Sequence, residues 1–146
     1  MEKTLAAYAL RLHGEAVELA PGHFWAELRS DGCEVLGELE PDLAGEATCR
    51  RELRVGDDGR FSAVGELGFA GKTTLTFRTE GRFTAADHAR RGTSLGTITG
   101  AGRLAGTTGY VASSFLLWAS GDLSEDHLGV LFVGRPLTAA GKETQS

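Results

Sequence analysis

The sequence predicts an all-β protein, an antiparallel up-and-down β-barrel of about eight to nine strands around a central apolar cavity. Three observations predict it. Between Glu46 and Phe83, apolar and polar residues alternate through three successive segments joined by short turns, as half-buried strands require. Turn formers such as Gly56-Asp57-Asp58-Gly59 recur along the whole chain. The stretch Gly96 to Trp118, GTITGAGRLAGTTGYVASSFLLW, holds five of the 21 glycines (Gly96, Gly100, Gly102, Gly106, Gly109). Each would cost about 1 kcal/mol in a helix interior relative to alanine. Sharply bent strands of a small barrel use such residues at corners, at bulges and where another backbone comes close.

Taken in order, residues 3–12 fit two periods. Leu5, Tyr8, Ala9 and Leu12 have helical spacing, whereas Tyr8, Leu10 and Leu12 fit period two, and Ala16-Val17-Glu18-Leu19 extends a strand pattern. Phe24 to Arg29 and Cys33 to Leu39 flank Ser30-Asp31-Gly32, which predicts a hairpin with Gly32 at a positive φ. Pro41 to Gly45 reads as a loop. Ala47, Cys49, Arg51, Leu53 and Val55 then share an inner face, opposite Glu46, Thr48, Arg50, Glu52 and Arg54. Phe61, Ala63, Gly65, Leu67 and Phe69 face inward in the next strand. After a turn at Gly71, Leu75, Phe77, Thr79, Gly81 and Phe83 do the same. Ala85 to Thr93 is a polar loop placed to cap the barrel mouth, with room for a turn or two of helix at Ala85 to Arg91. In the last hairpin Tyr110, Ala112, Ser114, Leu116 and Trp118 are assigned to the inner face, but Val111, Phe115 and Leu117 load the other, and Val130 to Val133 is apolar on both sides. Strands buried on both faces need a cover. A second subunit or the N-terminal segment would supply it, so a homodimer through Tyr110–Trp118 and Leu128–Val133 is expected.

Composition bounds the function. The 146 residues suit one barrel domain over residues 1–136 and a flexible polar tail over 137–146. With 15 basic against 20 acidic residues the net charge is −5, and the basic residues are scattered, which argues against nucleic acid. The apolar patch Leu5 to Leu10 is too brief and too polar in its flanks for a signal peptide or a membrane span, so a cytoplasmic location is expected. Cys33 and Cys49 lack metal-ligand spacing and read as reduced thiols; no metal and no cofactor is expected.

Gly100-Ala101-Gly102-Arg103-Leu104-Ala105 satisfies the dinucleotide-binding pattern, and Asp122 lies about 20 residues on. That fingerprint needs a helix to start where strand-prone Gly106-Thr107-Thr108-Gly109-Tyr110-Val111 stands, so it is rejected. The run Gly100-x-Gly102-x-Leu104-x-Gly106-x-x-Gly109-Tyr110 instead resembles a glycine-rich segment of the allene oxide cyclase and dirigent barrels, with Leu104 where phenylalanine is usual. Small bacterial polyketide cyclases, including spirotetronate [4+2] cyclases, share that barrel. The resemblance covers about 20 residues, implies a fold more firmly than an activity, and transfers no catalytic residue.

The candidate site follows from the inner faces. Arg51 is a guanidinium among apolar neighbours, which is costly unless it is paired or used; a bulge turning it outward is the alternative. Arg51, Tyr110 and Ser114 are the catalytic candidates. Phe24, Cys49, Phe61, Leu67, Phe77, Phe83, Leu116 and Trp118 would line an apolar cavity, with ordinary core packing as the alternative for each. The small residues Ala47, Ala63, Gly65, Gly81 and Ala112 suggest space rather than a solid core. His13, His23, His88 and His127 read as solvated, His127 beside the polar turn Ser124-Glu125-Asp126. No Ser-His-Asp order, metal cluster or phosphate loop stands out. The expected function is a small-molecule cyclase or isomerase acting on a flexible apolar polyene or polyketide by restricting its conformers and placing one donor on a carbonyl. A lipocalin-like carrier without chemistry is the alternative, and a solid structural barrel the third. Since removing a desolvated charge relieves its desolvation cost, Arg51→Met is expected from the sequence to leave stability level or raise it.

Overall fold

A computed structural model of the protein describes residues 2–37, 43, 45–69, 73–86 and 88–135. The strands are β1 (Glu2–Ala20), β2 (His23–Ser30), β3 (Cys33–Leu36), β4 (Ala47–Val55), β5 (Arg60–Phe69), β6 (Thr73–Ala86), β7 (Ala89–Ala101), β8 (Thr108–Trp118) and β9 (Asp122–Arg135). Each from β4 to β9 pairs antiparallel with the next, β9 pairs with β1, and β1 closes on β2, which returns to β4. The result is a closed eight-stranded antiparallel barrel with one extra strand, β3. Most of the expected loop at Pro41 to Gly45, the turn at Gly71 and the tail 137–146 lie outside the described residues.

The meander β4–β5–β6 has the expected register, with Arg51 opposite Gly65 and Gly65 opposite Phe77. Residues 3–12 are strand, paired along β9. Three expectations are corrected. Ser30-Asp31-Gly32 is no hairpin: β2 and β3 both pair with β1, at Ala20–His13 and Leu10–Ala7, so the chain runs on past a break. The true hairpin joins β1 to β2 at Pro21-Gly22, where Gly22 has φ 74°. Ala85 to Thr93 is neither loop nor helix but the tip of the long β6–β7 hairpin.

The third correction concerns β8. Val111 and Phe115 are buried in the barrel, whereas Tyr110 is 63% and Trp118 44% exposed, and Ser114 is exposed. Apolar side chains load both faces of this strand, so its own sequence leaves the register open, and a shift of one residue exchanges the faces. Its ladder to β9 decides: Val111 pairs with Gly129 and Phe115 with Glu125, and burial alternates cleanly along β9. Ala112, Leu116 and Leu117 are half-buried, Leu116 sharing the outward parity of Ser114.

The inner glycines do not leave space. A Cβ on Gly65 would meet the Phe77 ring, one on Gly81 the Phe61 ring, one on Gly92 the Phe115 ring, and one on Gly129 the Tyr8 ring. Each missing side chain is a seat for an aromatic ring, so the small residues denote close packing. At the end where β8 begins, Leu104 of a short 3-10 helix (Gly102–Leu104) and Leu43 are buried in the core.

Candidate functional site

Arg51 points into the barrel, as β4 alternation requires, and only 3% of it is exposed. Its Nη1 pairs with Glu125 Oε1 at 2.5 Å, and its Nη2 donates to Cys49 Sγ at 3.1 Å. The guanidinium lies 5.3 Å from the centre of the Phe77 ring. Glu125 Oε2 is 3.1 Å from His127 Nδ1, and His127 Nε2 is 2.9 Å from the Tyr8 hydroxyl. The Tyr8 and His127 rings stack at 5.5 Å, and Phe77 meets the His127 ring edge-on at 5.8 Å. Five side chains from β4, β9 and β1 thus form one continuous polar chain, Cys49–Arg51–Glu125–His127–Tyr8, all buried. It occupies the interior where the sequence predicts an apolar cavity.

The carboxylate fixes the imidazole. In a neutral ring, Nδ1–H donates to Glu125, which leaves Nε2 as the acceptor for the Tyr8 O–H. Arg51 and Glu125 neutralise each other, so the chain carries no net charge in that state. Burial pushes the Glu125 carboxyl up, but the Arg51 guanidinium and the His127 hydrogen bond more than offset this and leave it below the usual range. Burial opposes the charge on Arg51, yet Glu125 raises its pKa. Burial raises the Tyr8 hydroxyl well above the ordinary value, so it keeps its proton as a donor. Burial also raises the Cys49 thiol, against the pull of Arg51. Arg51 Nε is buried with no hydrogen-bond partner among the described residues, a donor in reserve.

The sign of the pH effect follows from Glu125. Its folded pKa lies below the ordinary carboxylate value of 4.5, so the ionised form stabilises the fold above that pH and the contribution is lost as pH falls through the folded pKa. The midpoint of urea denaturation is expected to drop on acidification below about 4.5, and to drop less in Glu125→Gln. Equal acid sensitivity of the two proteins would remove Glu125 as the cause.

Above this chain lies the barrel mouth, at the end bearing the β1–β2, β4–β5, β6–β7 and β8–β9 turns. Phe61, Phe83 and Phe115 form a three-ring cluster there, with centroids 4.7, 5.4 and 5.3 Å apart. Open clefts of about 550 and 350 Å³ adjoin it and share Glu18, Ala85 and Arg90. Phe24 and Leu117 line the larger and Phe83 the smaller, so the floor is apolar and the rim polar. His88, Ala89 and Arg90, at the tip of the β6–β7 hairpin, line the larger cleft.

Of the residues singled out in the sequence, the structure brings Arg51, Cys49 and Phe77 together, puts Phe24, Phe61 and Phe83 at the mouth, and buries Leu67 in the core. Tyr110, Ser114, Leu116 and Trp118 are not part of the interior site. Trp118 borders the mouth from outside. Glu125, His127 and Tyr8 went unrecognised as site residues. Glu125 and His127 share the parity of Leu123, Gly129, Leu131 and Val133, but Leu128, Val130 and Phe132 load the other face of β9 as well, so alternation alone does not tell which face is inner. His127 is buried rather than solvated. Compared with protein-family models, with curated proteins and with solved structures, the chain matches none. Among the described residues, no helix is long and apolar enough to cross a membrane, and no three metal-ligating side chains come together.

Proposed function

We propose that the protein is a cofactor-independent cyclase or isomerase of a small, largely apolar molecule, with Tyr8, His127, Glu125 and Arg51 as its polar centre. The observation that carries this is the buried Arg51–Glu125–His127–Tyr8 chain itself. A buried ion pair contributes little stability compared with apolar side chains of similar volume, so a barrel needing only a core has small reason to keep one. Arg51 Nε–H, and Tyr8 O–H once its proton turns away from His127 Nε2, are donors suited to a carbonyl or enolate oxygen that gains charge during ring closure or isomerisation. His127, oriented by Glu125, holds or returns the Tyr8 proton, so no net acid or base is consumed. The ligand would reach them by displacing Phe83 and Phe115 at the mouth and would be folded by the surrounding aromatics. The resemblance of Gly100 to Tyr110 to the allene oxide cyclase barrels supports a polyketide-like substrate, including a [4+2] cyclisation; barrel shape alone does not identify that family.

A carrier reading draws on the mouth clefts, which offer an apolar floor without exposing the polar chain. Incubating the protein with an acyl-tetronate carrying a linear polyene separates the readings by chromatography and mass spectrometry. Multiple turnovers to one cyclised isomer are expected. Bound but unchanged molecule would assign a carrier, and neither binding nor turnover would leave a filled structural barrel.

A further inference from the structure

We infer that two copies of this chain pack through the outer faces of β7, β8, β9 and the first half of β1, in a two-fold homodimer. The outer surface of the barrel is divided by chemistry. On the β2–β4–β5–β6 side it carries Glu27, Arg50, Arg54, Glu66, Arg78 and Glu80, all exposed. On the other side Leu95, Tyr110, Leu128, Phe132 and Leu5 point outward, at 71, 63, 50, 36 and 62% exposure. Register makes them one patch. Leu95 is opposite Ala112 and Ala112 opposite Leu128, while Phe132 is opposite Leu5 and meets the Tyr110 ring edge-on at 6.3 Å. Among the described residues no charged side chain stands within it, and apolar surface of this extent marks an interaction site.

The chemistry favours a second copy over other occupants. A membrane-spanning barrel would need an apolar band around its whole circumference, which the charged half forbids. A lipid surface would want a basic border, whereas the net charge is −5 and the border on the mouth side is mixed. That border holds exposed Arg91 together with Arg11 and Asp126, the last two 3.4 Å apart and with side chains 93 and 75% exposed. Such a pair adds little within one chain, but a two-fold axis running along the strands between β9 and β1 sets Arg11 of each copy against Asp126 of the other. Four strands over eight residues give roughly 500 Å² of footprint per copy, near the lower end of what specific dimers bury. The expected dimer is therefore of modest affinity. Phe115, which sequence periodicity leaves on the outer face, is buried in the barrel and lies outside this interface, as does Leu131.

Sedimentation of the full chain tests this. Wild type is expected to reach twice the chain mass as concentration rises, and Tyr110→Lys to weaken association at least roughly tenfold through a desolvated charge. Val64→Lys, on the charged side at 41% exposure, is expected to associate as wild type does. Leu128→Lys serves as the second variant should far-ultraviolet circular dichroism show Tyr110→Lys unfolded. A wild type that stays monomeric at its highest soluble concentration would overturn the inference. So would a folded Tyr110→Lys or Leu128→Lys protein that dimerises unchanged.

Discussion

Replacing Arg51 with methionine is expected to destabilise the barrel by about 3–5 kcal/mol, a large share of the stability of a domain this size. The sequence alone argued the reverse, because it showed a lone inward guanidinium whose removal relieves desolvation. The structure supplies the missing partner. Glu125 is buried, is paired to Arg51, and among the described residues accepts one further hydrogen bond, from His127. Methionine at 51 would leave that carboxylate either ionised without compensation or protonated at a cost that grows with pH. Arg51→Met combined with Glu125→Leu is expected to recover much of the loss, since both buried charges are gone and the His127 Nδ1–H is left without its acceptor. Urea denaturation of wild type, the single variant and the double variant measures this. A single variant as stable as wild type would mean that the pair is not buried as described.

Tyr8→Phe is the second change with a large expected effect, and it falls on turnover. Removing one donor aimed at a developing oxyanion lowers kcat by roughly 10²–10³. The fold should suffer far less, by about 1–3 kcal/mol, because the substitution keeps the ring against Phe69 and His127 and leaves only Nε2 unsatisfied. A fall in kcat with KM and cooperative unfolding preserved separates a reactive hydroxyl from a packing one. Equal turnover by Tyr8→Phe would move the chemistry to Arg51 Nε.

Legibility varied along the chain for physical reasons. From Ala47 to Phe83 one face is polar and one apolar, so alternation specifies register, and Arg51 was placed correctly without any knowledge of its partner. In β8 both faces carry large apolar residues, one set for the core and one for the outer patch, so alternation specifies nothing and Tyr110 and Ser114 were assigned inward. The sequence Ser124-Glu125-Asp126-His127 looks like solvated turn, because its inner members are ionisable and only their mutual pairing makes burial tolerable. Pairing across strands is invisible in one-dimensional spacing. So is the fit of Tyr8, Phe61, Phe77 and Phe115 over glycines of neighbouring strands, which turned apparent space into packed core.

In the proposed reaction the buried polar chain, rather than the open mouth alone, meets the ligand. A crystal structure of the protein soaked with an acyl-tetronate polyene is the decisive measurement. A ligand oxygen is expected within hydrogen-bonding distance of Tyr8 Oη or Arg51 Nε, with the Phe83 and Phe115 rings turned aside. A ligand resting only against Phe24 and Leu117, above an unmoved aromatic cluster, would contradict it.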